Sequence, residues 1–297
     1  MPISESQLET WAHQGAVAQS KDTYATIRTA LQDSSAPYAG KSYDLFLQGS
    51  YCNDTNVYAD SDVDVIMKLN SIFYHDISDL PPDEQALYNA ARSSADYSAD
   101  DFKNAVFTHL GRKFPSKITS GNKAIYIGAD ANRRETDVVP CVQFRRYLRF
   151  RSWTDNSYIE GITFWSNGGT QIINYPKQHS ENCTRKHQAT LQWFKPTVRI
   201  LKNMRNSMVS KGYLAKGIAP SYFLEGMLYN VPNSVFGKTY QATVANAINW
   251  VIECPDRSKL VCANEEYYLL YDDSPVTWRA ENLQKYLDAV LRFWDSY

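Results

Sequence analysis

The stretch whose reading decides the fold begins Gln48-Gly49-Ser50-Tyr51-Cys52-Asn53-Asp54-Thr55-Asn56 and resumes at Ser61-Asp62-Val63-Asp64-Val65-Ile66-Met67. Just before it, Tyr43-Asp44-Leu45-Phe46-Leu47-Gln48 is a short apolar run that suits a strand. Gly49-Ser50 then opens a turn-rich segment. Residues 62–67 alternate strictly at their start and read as a second strand. On a strand, side chains two apart share a face. Asp62 and Asp64 are therefore expected to project together, with Val63, Val65 and Met67 turned into the core. Two carboxylates on one face repel unless a cation sits between them. Mg²⁺ suits that place, because it takes a few carboxylates together with waters and phosphate oxygens.

Thr136-Asp137-Val138-Val139-Pro140 reads as another strand with one acidic residue at its start. If it pairs beside 62–67, Asp137 completes a set of three carboxylates. Such a set suits two ions, Mg²⁺ or Mn²⁺, about 4 Å apart, which clamp the attacking and leaving oxygens of an in-line displacement. Asp137 would then lie nearest the attacking hydroxyl. Gly49 lets backbone N–H groups approach a phosphate closely, and the Ser50 hydroxyl adds a donor. An Asp-x-Asp or a Gly-Ser is common and means little alone. The order carries the signal: strand, Gly-Ser, eleven residues, Asp-apolar-Asp on a strand, then a later Asp-Val-Val.

Elsewhere, residues 5–32 read as one helix, from Leu8, Trp11, Ala12, Ala16 and Val17 and then Tyr24, Ile27 and Leu31. Residues 83–113 read as two helical pieces, the second with Ser98 and Asp101 as a capping box. Lys123–Ile127 and Thr136–Phe144 read as strands, and 145–180 as mixed. A long helix is expected over 184–210, another from Pro220, and two more near 239–253 and 278–295. The fold class is thus α+β. A mixed-sheet catalytic lobe over 1–178 precedes a helical lobe over 179–297, with the N-terminal helix spanning both and a hinge at Tyr175-Pro176 to Ser180.

The 297 residues suffice for a full core, and a net charge of −1 offers no general field for duplex nucleic acid. Five cysteines without a CxxC argue against a disulfide framework and fit a reducing cytoplasm. No apolar stretch approaches a membrane span, and no signal peptide is visible.

Gly49-Ser50…Asp62-Val63-Asp64-Val65 resembles the polymerase-β-like nucleotidyltransferase signature. The fuller run from Gln48 is similar to the bacterial relatives of cyclic GMP-AMP synthase, the CD-NTases of anti-phage signalling (CBASS). The resemblance implies a two-lobed fold whose helical lobe is like that of oligoadenylate synthases. It implies that nucleoside triphosphates, ATP at one position, are joined into a cyclic di- or trinucleotide containing adenylate, with a trinucleotide built mainly from adenylate as the expected product. It also implies a lysine and a Ser-Tyr pair of the helical lobe at the donor nucleotide. Val198-Arg199-Ile200-Leu201-Lys202 and Ala219-Pro220-Ser221-Tyr222 match those positions, giving Lys202, Ser221 and Tyr222, with Lys195 and Arg199 as competitors on neighbouring turns. A HORMA-type or ubiquitin-transfer-like regulator is a further implied partner.

Three other readings stay open on the residues alone: transfer to an RNA end, transfer to a small molecule or protein, and an inactive nucleotide sensor. The absence of a basic surplus weighs against the first, and the presence of all three aspartates against the last. His179, Cys183 and His187 share a helical face and are zinc-type side chains, but with no fourth ligand they read as packing residues. Cys52 also reads as packing. Arg133, Arg134 and the arginines at 145, 146, 149 and 151 read equally as acceptor contacts or as solvated strand ends, with Arg134 the first choice for a contact.

Overall fold

The computed structural model describes residues 2–15, 18–58 and 62–297. The chain runs α1 (Glu5–Ala12), α2 (Ala18–Leu31), β1 (Tyr43–Gln48), α3 (Gly49–Cys52), β2 (Val63–Asp76), α4 (Pro82–Ala91), α5 (Ala99–Lys113), β3 (Ile118–Ser120), β4 (Ile125–Ile127), β5 (Thr136–Ser152), β6 (Asp155–Trp165), β7 (Gln171–Asn174), α6 (Pro176–Ala189), α7 (Phe194–Ser210), α8 (Ser221–Asn230), α9 (Tyr240–Glu253) and α10 (Ala280–Ser296). It divides into two compact units. One comprises Ala18–Gln48 and Asp62–Tyr175, the other Met1–Val17, Gly49–Ser61 and Pro176–Tyr297.

The first unit is built on a seven-stranded mixed sheet in the order β1-β2-β5-β4-β3, with β6 and β7 continuing from β5. β2 and β5 are parallel, and the other pairings are antiparallel. The long β5 has β4 beside its first residues and β6 beside its later ones. Val63, Val65, Met67 and Leu69 of β2 and Val138 and Val142 of β5 are fully buried. Helices α2 and α5 pack on these strands and bury Ile27, Leu31, Phe102, Val106 and Leu110. The expected capping box forms at α5: Ser98 Oγ accepts from the Asp101 amide at 3.0 Å, and the Asp101 carboxylate accepts from the Ser98 amide at 2.9 Å. Such a cap stabilises a helix by about 1 kcal/mol.

The second unit is helical. α7 is its centre, burying Phe194, Val198, Ile200, Leu201, Met204 and Met208 against residues such as Leu224, Val244, Leu283 and Leu287.

Several element boundaries differ from the sequence expectation. Residues 5–32 form two helices, α1 and α2, which belong to different units; Ala16 and Val17, used in that reading, lie outside the described residues. The helix expected over 184–210 is α6 followed by α7, separated where Leu191 and Gln192 adopt positive φ values of 49° and 70°. β2 and β5 run on well past the expected ends, and the mixed segment 145–180 contains β6, β7 and the start of α6. Among the described residues no helix is long and apolar enough to cross a membrane.

Candidate active site

The register of the sheet places the carboxylates. Asp64 of β2 pairs with Asp137 of β5, and Val63 pairs with Thr136. In-register residues of adjacent strands, about 4.8 Å apart, point to the same face. The residue before Val63 is Asp62 and the residue before Thr136 is Glu135, and the Val63 amide donates to the Glu135 carbonyl at 3.1 Å. The N-terminal ends of two parallel strands therefore carry four carboxylates, Asp62 and Asp64 on one and Glu135 and Asp137 on the other.

The same row extends across the sheet, because Gln48 of β1 pairs with Asp64 and Tyr126 of β4 pairs with Asp137. The Gln48 side-chain oxygen is buried without a hydrogen-bond partner among the described residues. Tyr126 donates its hydroxyl to Glu135, which raises the phenol above its ordinary value with further help from burial and the charges of Glu135, Asp62 and Asp137. Burial raises the Asp137 carboxyl, and the charges of Asp62 and Glu135 raise it further. This is the electrostatic signature of crowded negative charge.

A divalent cation fits that donor set, since hard cations take carboxylate oxygens and would relieve the repulsion that raises Asp137. Among the described residues, the one His/Cys/Asp/Glu set whose ligand atoms all lie within 4.8 Å is His179, Cys183 and Glu225. The aspartates thus stand more openly than a closed metal cage.

Gly49 follows Gln48 directly and takes φ +72°, a left-handed conformation that glycine adopts without a Cβ penalty. It opens the one-turn α3. Gly49 and Ser50 belong to the helical unit, as do Lys202, Ser221 and Tyr222. Within that unit the segment after Ser50 is tightly held. The Asn53 amide donates to the Gly49 carbonyl at 3.2 Å and the Thr55 amide to the Ser50 carbonyl at 2.9 Å.

Lys202 is fully buried, and its Nζ donates to the Thr55 carbonyl at 3.0 Å. The resemblance implies this ammonium at the donor triphosphate; in the structure it is buried against the loop. Its arrangement is that of a clamp on the loop. Its two competitors hold the same loop: Lys195 Nζ meets the Asp54 carboxylate at 2.9 Å, and Arg199 Nη1 donates to the Asp54 carbonyl at 2.5 Å.

Ser221 is the first residue of α8, half-buried, with its Oγ accepting from Arg205 at 3.4 Å. The first-turn N–H groups of a helix are without intrahelical partners, which suits an anion. Tyr222 is half-buried, and its ring stacks on His179 with centroids 4.8 Å apart. Its hydroxyl accepts from Asn264 Nδ2 at 3.0 Å. One face of the ring is therefore already occupied.

His179 and Cys183 do come together, but with Glu225 in place of His187. His187 instead uses Nδ1 to accept the Lys195 amide at 3.3 Å. Cys52 is exposed rather than packed. Arg134 is pinned to α2, its amide donating to Thr23 Oγ1 at 3.0 Å and its Nε to Gln19 at 3.1 Å. Arg133 is buried and donates to the Gly128 carbonyl, Arg146 pairs with Asp79 and Arg149 with Asp155. These arginines hold the sheet and its turns together.

The sequence reading missed Glu135, Tyr126 and Glu225. Glu135 had a usable signal, because it stands two before Asp137 just as Asp62 stands two before Asp64. Tyr126 needed the β4–β5 pairing, and Glu225 needed the tertiary fold.

A mixed sheet with aspartates at the start of paired parallel strands, a Gly-Ser turn after the neighbouring strand and a helical second unit is the architecture of a polymerase-β-like nucleotidyltransferase. The comparisons with known proteins narrow that class. Residues 181–295 match the cGAS/DncV-like nucleotidyltransferase C-terminal helical domain. The chain is 38% identical to the cyclic UMP-AMP synthase of Rhodothermus marinus over 299 residues, covering 100% of this chain and 99% of that protein. It is 35% identical to the cyclic nucleotide synthase CdnE01 of Staphylococcus haemolyticus over 303 residues, covering 100% of both. Among solved structures, the Rhodothermus marinus CdnE c-UMP-AMP synthase with Apcpp and Upnpp superposes with a TM-score of 0.88 at 37% identity, covering 100% of this chain and 98% of that one. The Elizabethkingia meningoseptica CdnE cyclic dinucleotide synthase with GTP and Apcpp gives 0.79 at 29% identity, covering 99% and 98%. The chain belongs to the CD-NTase family of nucleotidyltransferases, whose members named here are cyclic nucleotide synthases.

Proposed function

We propose that this chain joins two nucleoside triphosphates into a cyclic dinucleotide, with adenylate at one position, and that the product serves as a second messenger in anti-phage defence. The observation that carries the chemistry is the pairing of Asp64 with Asp137 beside Asp62. The ring size follows the relatives, whose names describe UMP-AMP, dipurine and dipyrimidine products. A dinucleotide is therefore favoured here over the mainly adenylate trinucleotide expected from the resemblance.

Asp62, Asp64 and Asp137 would hold one or two divalent cations, Mg²⁺ or Mn²⁺, which supply charge neutralisation at the phosphoryl oxygens. Gly49 and Ser50 would bind the donor triphosphate through backbone N–H groups and the serine hydroxyl. The first turn of α8 at Ser221 would favour its negative charge. A ribose hydroxyl of the second nucleotide attacks the donor α-phosphorus, a new P–O bond forms, and pyrophosphate leaves with the electrons of the broken bond. The hydroxyl proton would pass to the Asp137 carboxylate, the acidic side chain read as nearest the attacking hydroxyl. A second such transfer within the linear intermediate closes the ring.

The test is incubation with all four nucleoside triphosphates and Mg²⁺ or Mn²⁺, phosphatase treatment, and mass spectrometry. The expected result is a phosphatase-resistant adenylate-containing dinucleotide absent with Asp64→Asn. A linear or RNA-linked product would overturn the cyclic reading. Phage challenge of cells carrying this chain with its neighbouring genes tests the defence role. Equal plaque counts for the wild type and Asp64→Asn would remove that role.

A further inference from the structure

One carboxylate of the helical unit has no part in the reaction as described above. Glu225 lies on α8, one turn beyond Ser221, and is only 3% exposed. Its Oε2 accepts from Asn53 Nδ2 at 3.1 Å and from His179 Nε2 at 2.6 Å, and its Oε1 accepts a short hydrogen bond from the Thr55 hydroxyl. Burial opposes the charge, but the His179 and Thr55 hydrogen bonds and the charges of His179 and Lys202 outweigh it and hold the carboxyl below its ordinary value. A buried carboxylate kept charged by this many partners is costly to form and rigid once formed.

The partners show what it holds. Asn53 and Thr55 are themselves buried, and they form the turn that receives α3. Their amides close onto the carbonyls of Gly49 and Ser50. Lys202 grips the same turn through the Thr55 carbonyl. On the other side, His179 stacks on Tyr222. A single carboxylate thus joins the Gly49-Ser50 segment to the Ser221-Tyr222 end of α8, the two places read as donor contacts.

We propose that Glu225 is a positioning residue, whose buried carboxylate sets the Asn53–Thr55 turn and so presents Gly49 and Ser50 to the donor triphosphate. This rests on the reading of Gly49-Ser50 as the donor-phosphate segment. His179, Cys183 and Glu225 are also close enough to hold a metal ion. The hydrogen-bonded arrangement is favoured for two reasons. The Glu225 oxygens already serve three donors, and burial together with the Glu225 charge pushes the Cys183 thiol well above its ordinary value, against the thiolate a metal needs.

The experiment compares Glu225→Gln, Thr55→Val and Thr55→Ser with the wild type, using steady-state kinetics in donor triphosphate and hydrogen exchange over residues 49–56. Thr55→Val removes the hydroxyl at nearly constant shape, and Thr55→Ser restores it. Glu225→Gln and Thr55→Val should raise donor KM by about tenfold with kcat changed less than about threefold, while Thr55→Ser stays near wild type. Exchange at 49–56 should rise in the first two only. If Glu225→Gln fails to fold, the Thr55 pair decides. Unchanged exchange and KM in Thr55→Val would overturn the proposal, as would one zinc per chain in the purified protein that is lost with Cys183→Ser. Faster exchange with unchanged KM, together with a silent Ser50→Ala, would leave the hydrogen-bonded support of the turn in place and instead remove the reading of Gly49-Ser50.

Discussion

Asp64 and Asp137 are register partners on adjacent parallel strands, although 73 positions separate them in the sequence. The parallel arrangement matters. It brings two strand starts to the same edge, so that Asp62 and Glu135 fall beside each other two residues earlier. An antiparallel pairing of the same segments would have put the start of one strand against the end of the other.

Replacing either partner should therefore remove the reaction without unfolding the chain. Asp64→Asn and Asp137→Asn are expected to lower turnover by at least about a thousandfold. Both relieve repulsion, so the metal-free melting temperature should hold or rise. Mn²⁺ should stabilise the wild type against heat and leave Asp64→Asn unmoved, because an ion stabilises only the state that binds it. Retained turnover in Asp64→Asn would refute the assignment.

The strands that carry the aspartates were legible in the sequence because their signals are local. Alternation in 62–67 and the spacing of Asp62 and Asp64 needed no tertiary knowledge, and β1 was found to its residue limits. Other features were not local. Leu191 and Gln192 take a left-handed conformation that neither residue type announces, so α6 and α7 read as one helix. Lys202 was assigned to the donor triphosphate by the family resemblance alone, and nothing local in the sequence announces that it is buried. Its burial depends on Glu225 and the Thr55 carbonyl arriving from elsewhere in the chain. The His179–Cys183 pair was visible by helical spacing, but its true third member lies on α8.

Lys202 offers a sharp contrast between the two roles. A solvated phosphate ligand could be removed with little effect on stability. A fully buried ammonium near a buried carboxylate cannot, because the carboxylate loses one of the charges that hold it ionised and the Thr55 carbonyl loses its donor. Lys202→Met should cost about 3 kcal/mol or more of unfolding free energy in urea titration. Unchanged stability with a weakened donor interaction would restore the role first read from the sequence.

Glu135 should act on cation binding rather than on chemistry. Its charge adds to the attraction for a divalent ion and to the repulsion felt by Asp137. Glu135→Gln is expected to raise the Mg²⁺ concentration for half-maximal activity by about two- to fivefold, an effect typical of one solvent-screened charge. The metal-free protein should become slightly more heat-stable. If both quantities moved the same way as in Asp64→Asn and turnover vanished, Glu135 would be a ligand in its own right.

His187 gives the helical unit a specific acid sensitivity. Burial, with the charges of Lys195 and Arg199, pulls its pKa down to about 4, against a smaller opposing effect from Asp54. Its Nδ1 accepts the Lys195 amide, which requires the neutral ring. A depressed histidine pKa means that the unfolded chain takes up the proton first. Its contribution to stability is therefore intact above the unfolded value near 6.5 and drains away as pH falls toward about 4. His187→Gln keeps an acceptor but cannot bind the proton. Between pH 7 and 4.5 the wild type should lose thermal stability more steeply than this variant. Since every other titrating group is common to both, the difference between the two curves isolates His187. Parallel curves would mean that the imidazole titrates as it would in water, and that the Lys195 amide does not hold it neutral.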